Sequence, residues 1–115
     1  MGTINHDAVL GHVWNQPDYD KIEDLRKRMT EDLHAKEKCL IGPIEVVNGD
    51  VNFAFLPDGS KEWWETSDAH NRYRDEFISI IEGMRYGTVI WIGWGELDGD
   101  PKFKYTTEPV PEEDL

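Results

Sequence analysis

The spacing of apolar residues between positions 51 and 84 changes from every second residue to every third or fourth. Phe53 and Phe55 stand at alternate positions, which is typical of a strand with one buried face. The later apolar residues form one stripe on a predicted helix: Ala69, Tyr73, Phe77, Ile80, Ile81 and Met84. This stretch therefore predicts a strand and an amphipathic helix that packs on a sheet.

Between that strand and that helix, the sequence predicts a tight turn and one more strand. Residues 57–60 combine a Pro with a preset φ, an Asp that can bond its own backbone and a Gly that accepts positive φ. Residues 61–65 are predicted to form a short strand, in which Trp63 and Trp64 point to opposite faces. Residues 66–68 supply hydroxyl and carboxylate groups that can cap the following helix.

Upstream of this stretch, a first helix is predicted from about residue 19 to residue 38. Pro17 suits its first turn, and acidic residues crowd its N-terminal end, where the helix dipole favours negative charge. Its predicted buried stripe consists of Ile22, Leu25, Met29 and Leu33. Residues 1–16 are expected to form a short strand or a helical turn that docks on the core.

The remaining apolar runs predict a hairpin in the middle of the chain and two strands near its end. Asn48 and Gly49 separate two apolar runs, and they readily accept the positive φ that a type I′ turn requires. Residues 88–94 are apolar on both faces, as in a central strand, and residues 102–106 fit an edge strand. Residues 107–115 contain two prolines and four acids, and we expect them to form a disordered tail.

Taken together, these elements predict a single α+β domain over residues 1–106. Its sheet is expected to be mostly antiparallel and five-stranded, with two helices packed on it, in the order α-β-β-β-α-β-β. A chain of 115 residues can bury about two thirds of its unfolded surface, so it needs no covalent cross-link. The single cysteine excludes an internal disulfide.

Acidic residues outnumber basic residues by 24 to 12, and the excess is uneven. Residues 1–44 contain eight acids and six bases, whereas residues 45–115 contain sixteen acids and six bases. Such a field repels nucleic acid and anionic membranes and attracts a basic protein surface. Solubility is the simpler explanation of the same charge. Because no signal peptide or membrane-length apolar run is visible, a cytoplasmic location is expected.

The reactive residue types show no spacing that defines a metal or catalytic site. Two pairs, five and six residues apart, exceed the short spacing usual in tetrahedral zinc sites: His34 with Cys39, and His6 with His12. The acidic run 96–100 resembles a calcium loop, but Pro101 stands where an EF-hand needs its glycine. We therefore predict a non-enzyme with no catalytic residue, no metal and no cofactor.

The tryptophans are more informative, because five of them exceed what the core of so short a chain usually needs. Exposed tryptophans ringed by carboxylates are typical of protein-binding hot spots. The candidate partner-binding residues are Trp63, Trp64, Trp91, Trp94, Glu62, Glu65, Glu96, Asp98 and Asp100. A core that covers the tryptophans on both faces of the sheet is the alternative explanation.

Residues 56–68 carry the pattern Leu-Pro-Asp-Gly-Ser-Lys-Glu-x-Trp-x-Thr-Ser-Asp, and Arg74 and Phe77 follow it. This pattern resembles a group of small uncharacterised proteins encoded by tailed bacteriophages, chiefly those of actinobacteria, over about a quarter of the chain. Those proteins usually carry Gly at the position of Trp63. The resemblance implies a non-structural phage product, a class that often binds and redirects host proteins.

Three functions fit these observations. The first is a non-enzymatic acidic protein of phage type that binds a host protein and modulates or inhibits it. The second is a nucleic-acid mimic that occupies a DNA-binding or defence protein, although interleaved bases such as Arg72 and Lys102 interrupt its negative charge. The third is a small-ligand-binding module in which an exposed tryptophan stacks on a ring. A homodimer is compatible with all three.

Overall fold

The computed structural model describes residues 3–14, 18–84 and 86–107, which form an α+β fold with two α-helices and five strands. In chain order the elements are β1 (Asn5–Trp14), α1 (Tyr19–Glu31), β2 (Leu40–Glu45), β3 (Asp50–Phe55), α2 (Glu65–Glu82), β4 (Thr88–Gly95) and β5 (Gly99–Thr106). The predicted fold class, with its five strands and two helices, is confirmed. The prediction for Pro17 falls outside the described residues, as does that for the tail of residues 107–115 except at Thr107, whose N–H donates to the Val89 carbonyl at 3.0 Å.

The five strands form one antiparallel sheet in the order β2-β3-β1-β4-β5. β1 lies at the centre, where it pairs with β3 on one side and β4 on the other. The connectivity of the first six elements, β-α-β-β-α-β, is that of a ferredoxin-like split βαβ arrangement, and β5 extends the sheet by one strand. Buried side chains from both helices join one core on one face of this sheet.

The order of the elements differs from the predicted order in two places. Residues 61–65 do not form a strand, because Trp63 has a φ of 69° that a strand cannot use and Glu65 begins α2. The sheet still has five strands because β1 is a full strand, where the sequence predicts only a short strand or a helical turn. Its buried positions include Asn5 and Gly11, so the alternation of apolar residues is weak there.

Helix α2 packs directly on the central strand because β1 has no side chain at Gly11. A β-carbon there would lie 3.1 Å from side-chain atoms of both Phe77 and Ile81 in the helix. The Phe77 ring also lies beside Phe53 and Phe55, with centroid separations of 6.5 and 5.6 Å. The core around this contact includes Val9, Val13, Ile22, Leu25, Met29, Leu40, Val51 and Val89.

Helix α1 ends at Glu31, earlier than predicted, because the next residue stops it. Asp32 has an extended backbone, and its carboxylate accepts hydrogen bonds from the His34 N–H and the Tyr73 hydroxyl, each at 2.8 Å. These two bonds hold the pKa of the Asp32 carboxyl below its ordinary value. The prediction that Leu33 belongs to the buried stripe is wrong, since its position beyond the helix end leaves it 93% exposed.

A hairpin joins β2 and β3, as predicted. Asn48 and Gly49 have φ values of 60° and 79°, so both residues adopt the left-handed conformation that was expected of this pair. The Val46 N–H donates to the Asp50 carbonyl at 2.9 Å across the turn. The local sequence therefore determines the path of the chain at this end of the sheet.

Gly87 lies where the chain passes from α2 to β4. A β-carbon at this position would lie 1.9 Å from the Ile81 carbonyl oxygen, so Gly87→Ala must displace the end of the helix. We expect this variant to lose about 2 kcal/mol or more of unfolding free energy, as measured by urea denaturation. Gly83→Ala is the matched control, because Gly83 has a helical φ of −76° and its β-carbon would meet no atom closer than 3.3 Å. Equal losses in the two variants would contradict this prediction.

Candidate functional site

The segment before α2 and the turn between β4 and β5 both contact the first described residues of the chain. The Glu62 N–H donates to the Thr3 carbonyl at 2.6 Å, and the Glu96 N–H donates to the Ile4 carbonyl at 3.0 Å. The Ile4 N–H in turn donates to the Glu96 carboxylate at 2.6 Å. Two separate parts of the predicted site thus meet at one end of the sheet. We call this region the tryptophan end and define it as residues 3–6, 57–65 and 94–100.

Trp63 and Trp64 project from the tryptophan end into solvent, with exposed fractions of 72% and 53%. The φ of 69° at Trp63 is a left-handed conformation that costs a residue with a side chain about 1–2 kcal/mol. The Lys61 ammonium lies 5.3 Å from the centroid of the Trp64 ring, which is a cation–π distance. The two side chains therefore project from a turn. The prediction that they lie on opposite faces of a strand is wrong.

The two later tryptophans lie on opposite faces of β4. Trp91 lies on the helix side, where its Nε1–H donates to Asp7 at 2.9 Å and the Arg74 guanidinium lies 4.3 Å from its ring centroid. Trp94 lies on the other side, where it pairs with His6 at a centroid separation of 5.4 Å. The structure thus brings Trp94 to the tryptophan end and leaves Trp91 half-buried behind it.

The predicted carboxylates differ in how accessible they are. The side chain of Glu65 is 85% exposed and lies 3.4 Å from His34, and Asp100 is exposed on β5. Glu62 is half-buried, and burial raises the pKa of its carboxyl above the ordinary value. The carboxylate of Glu96 is bound to backbone. Exposed negative charge at the tryptophan end therefore comes mainly from Glu65, Asp100 and Glu96, which is exposed although one of its oxygens accepts from the Ile4 N–H.

A network of charged side chains lies behind the tryptophan end, between β1, α2 and β5. The Asp7 carboxylate accepts a hydrogen bond from Lys104 at 3.1 Å and lies 3.7 Å from the Arg74 guanidinium. Asp98 accepts from the Asn5 amide at 2.6 Å and from Lys104 at 3.1 Å, and these bonds lower the pKa of its carboxyl. No sequence signal marks this network, because only the central position of β1 brings its residues together.

Asp58 and His70 form a buried polar pair beside that network. The contact of His70 Nε2 with the Leu56 carbonyl, at 2.8 Å, assigns the donor to Nε2, and Asp58 Oδ1 accepts from the Ser60 hydroxyl at 2.6 Å. Asp58 Oδ2 and His70 Nδ1 lie 3.8 Å apart, and neither has a hydrogen-bond partner within the described part of the chain. The cavity beside them is about 10 Å³, the size needed for one water molecule. This pair is too enclosed to receive an organic substrate.

The histidines considered for zinc binding have other neighbours. His12 lies 3.2 Å from Asp50, and the contact of His34 with Glu65 is noted above. Burial raises the pKa of the Cys39 thiol. Across residues 3–14, 18–84 and 86–107, no group of three or more His, Cys, Asp or Glu side chains is arranged to hold a metal ion.

Neither α-helix of the described residues packs on the other face of the sheet, which we call the open sheet face. Directly paired residues of neighbouring antiparallel strands share a face. The strand registers therefore assign to it the apolar residues Ala8, Leu10, Trp14, Ile41, Ile44, Ala54, Ile90, Ile92, Trp94 and Phe103. The sequence indicates apolar residues on both faces of β4, but it does not indicate which face the helices cover.

Comparisons with known proteins identify no relative of this chain. No family model matches it, and no curated protein or solved structure is significantly similar to it. No helix within the described ranges is long and apolar enough to cross a membrane. The geometry of the tryptophan end and of the open sheet face is therefore the basis for a functional proposal.

Burial lowers the pKa of His70 below its ordinary 6.5, although Asp58 acts in the opposite direction. As pH falls through this ordinary value, the unfolded chain binds a proton before folded His70 does, so stability is lost. We expect the unfolding free energy to fall between about pH 7 and about pH 5, by ~1.4 kcal/mol for each unit by which the pKa is lowered. Urea denaturation at the two pH values measures this loss.

Two histidine variants separate this effect from the titration of other groups. His70→Gln should show a smaller loss of stability between the two pH values. His34→Gln, which changes a half-exposed histidine, should behave like the unaltered chain. The same pH dependence in all three proteins would show that His70 is not responsible.

Proposed function

We propose that this chain is a non-enzymatic acidic protein that binds another protein through the tryptophan end. By the resemblance of residues 56–68 to phage proteins, the partner is a bacterial host protein, which the chain modulates or inhibits in the host cytoplasm. The observation that carries the proposal is Trp63, a residue that is 72% exposed although its backbone conformation disfavours any residue with a side chain.

Trp63 destabilises the folded chain locally and contributes little to its packing. Glycine would avoid the cost of the left-handed conformation, and the phage proteins that this segment resembles usually have Gly at this position. Strained backbone conformations cluster at functional sites, and tryptophan is among the residues most enriched in interface hot spots. A contact with a partner therefore accounts for Trp63 better than the stability of the fold does.

The charge of the chain favours a partner with a basic surface. A net charge of −12 raises the rate of encounter with a positive surface and disfavours nucleic acid. At the tryptophan end, the exposed carboxylates of Glu65 and Asp100 accompany the two exposed rings. A lysine or arginine of the partner can contact these rings as Lys61 already contacts Trp64.

The nucleic-acid mimic is the weaker form of this proposal. A mimic presents a row of uncompensated carboxylates to the groove that binds phosphates. Asp98 would belong to that row, yet Lys104 and Lys102 lie 3.1 and 3.9 Å from its carboxylate. These ammonium groups compensate the charge of Asp98.

Binding of a small ligand is a second candidate function, and one cleft favours it. Ile78, Trp91 and Tyr105 line a cleft of about 280 Å³ together with Glu82 and with Asp75, whose carboxylate is paired with Arg74 at 3.1 Å. The Tyr105 hydroxyl donates to Glu82 at 2.7 Å, which raises the pKa of Tyr105. Apolar and aromatic side chains beside the carboxylate of Glu82 suit a small organic cation.

The variant Trp63→Gly tests the proposal because it separates binding from folding. Glycine relieves the left-handed strain, so the unfolding free energy should stay the same or rise by up to about 1 kcal/mol. Capture of host proteins on the immobilised chain should nevertheless fall about tenfold or more, because a hot-spot side chain is lost. Quantitative mass spectrometry of proteins retained from actinobacterial lysates measures this change.

Leu33→Ala is the control, since it removes an exposed apolar side chain outside the tryptophan end and should leave capture unchanged. A wash at about 1 M salt, where charges are screened within ~3 Å, distinguishes partners held by the rings from partners held by charge alone. If Trp63→Gly retains the same proteins in the same amounts as the unaltered chain, the proposal is wrong. Quenching of tryptophan fluorescence by a quaternary ammonium compound would then favour the cleft.

A further inference from the structure

We propose that the open sheet face is the interface of a symmetric homodimer, in which the sheets of two copies of this chain pack against each other. This inference goes beyond the proposed function, because it concerns the surface that lies away from both helices. The buried core lies on the helix side of the sheet, and neither α-helix of the described residues packs on the opposite face, where Trp14 is contacted at one end by Tyr86 and Asn48. Soluble proteins rarely expose a contiguous apolar patch of more than a few hundred Å² unless it binds something.

The apolar residues of the open sheet face are continuous from β3 to β5 around Leu10, whereas the next paired row, Asn52, His12 and Thr88, is polar. Leu10 on the central strand pairs directly with Ala54 on β3 and with Ile90 on β4. Farther along β4, Ile92 pairs with Phe103 on β5. Leu10 is 50% exposed and Phe103 is 73% exposed, so large apolar side chains stand in water at the middle and at the edge.

The charge of this face selects a second copy of the chain as the occupant. Among the residues that the strand registers assign to this face, Asp50 is the one acidic residue. Its carboxylate lies 3.2 Å from His12. The chain as a whole has a net charge of −12, so two copies repel each other wherever their carboxylates meet. A mainly apolar face with a single carboxylate lets two acidic copies approach, whereas a basic partner gains little electrostatic attraction from it.

The open sheet face is large enough for a stable dimer. Strands spaced about 4.8 Å apart, with a rise of about 3.3 Å per residue, give five strands a face of roughly 24 by 24 Å. Two such faces would bury about 1,100–1,200 Å² in total, which reaches the lower end of specific protein interfaces. The area therefore permits a dimer that forms at micromolar concentrations and dissociates on dilution.

A two-fold axis near the middle of β1 would make this face complementary to itself. There the large side chain of Leu10 stands beside the small side chains of Ala8 and Ala54. In a symmetric dimer the same patch is used by both copies, so the Leu10 side chain of each copy can pack against the alanines of the other. Sheets that pack face to face lie about 10 Å apart, a distance that side chains of this size fill.

Light scattering on the purified full chain, between about 1 and about 200 μM, tests the proposal. We expect a mass that approaches twice 13.4 kDa at the high end of this range and falls toward the monomer mass on dilution. Leu10→Glu places two negative charges against each other at the centre of the interface and should give a monomer throughout. Leu33→Glu adds the same charge to a leucine that is 93% exposed elsewhere, and it should leave the dimer intact.

Circular dichroism shows whether each variant is folded, and Phe103→Ser provides a second test at an exposed position if Leu10→Glu does not fold. Phe103→Ser should raise the dissociation constant about tenfold or more. A monomeric wild-type chain at every concentration would overturn the proposal, as would a dimer that survives Leu10→Glu and Phe103→Ser. Trp63→Gly should leave the mass unchanged, so failure of this inference and failure of the partner-binding proposal are distinguishable.

Discussion

The contact between helix α2 and the side-chain-free position at Gly11 determines the arrangement of the rest of this molecule. It lets Phe77 and Ile81 reach the central strand, and the aromatic and aliphatic core forms on that side of the sheet. Because α1 joins the same core, both helices cover the same face. The chain must then turn sharply between β3 and α2, and this turn is the segment that holds Trp63 and Trp64 in solvent. The covered core, the open sheet face and the tryptophan end thus all follow from the packing of α2 on Gly11.

Elements that depend on local periodicity could be predicted from the sequence, and those that depend on distant partners could not. The stripe from Ala69 to Met84 predicts α2, and the Asn48 and Gly49 pair predicts the hairpin, because neighbouring residues alone decide these structures. The sequence predicts β1 poorly because Asn5 and Gly11 occupy its buried positions in place of large apolar residues. Their burial depends on β4 and α2, which are distant in the sequence. The strand predicted for residues 61–65 fails because two adjacent tryptophans resemble a strand in composition, whereas the backbone at Trp63 is left-handed.

The candidate site shows the same division. The sequence identifies Trp63, Trp64 and Glu96 as unusual, and the structure brings the two segments that contain them to the first described residues of the chain. The sequence gives no indication that Trp91 lies beside Arg74 and Asp7, because these side chains come from three elements that meet only in the folded state. A cation near an indole ring is a relation in space that no spacing along the chain reveals.

The central place of β1 also has a consequence for how the chain folds. Gly11 lies opposite Phe53 on one side and Val89 on the other. The pairing partners of β1 therefore lie about forty and about eighty residues later in the chain. Pairings between such distant residues slow folding, because a long loop must close before its contacts can form. At translation rates of about 5–20 residues per second, β1 spends several seconds outside the ribosome with one edge unpaired. Chaperone binding to a nascent chain would therefore be concentrated on the residues that later form the centre of the sheet.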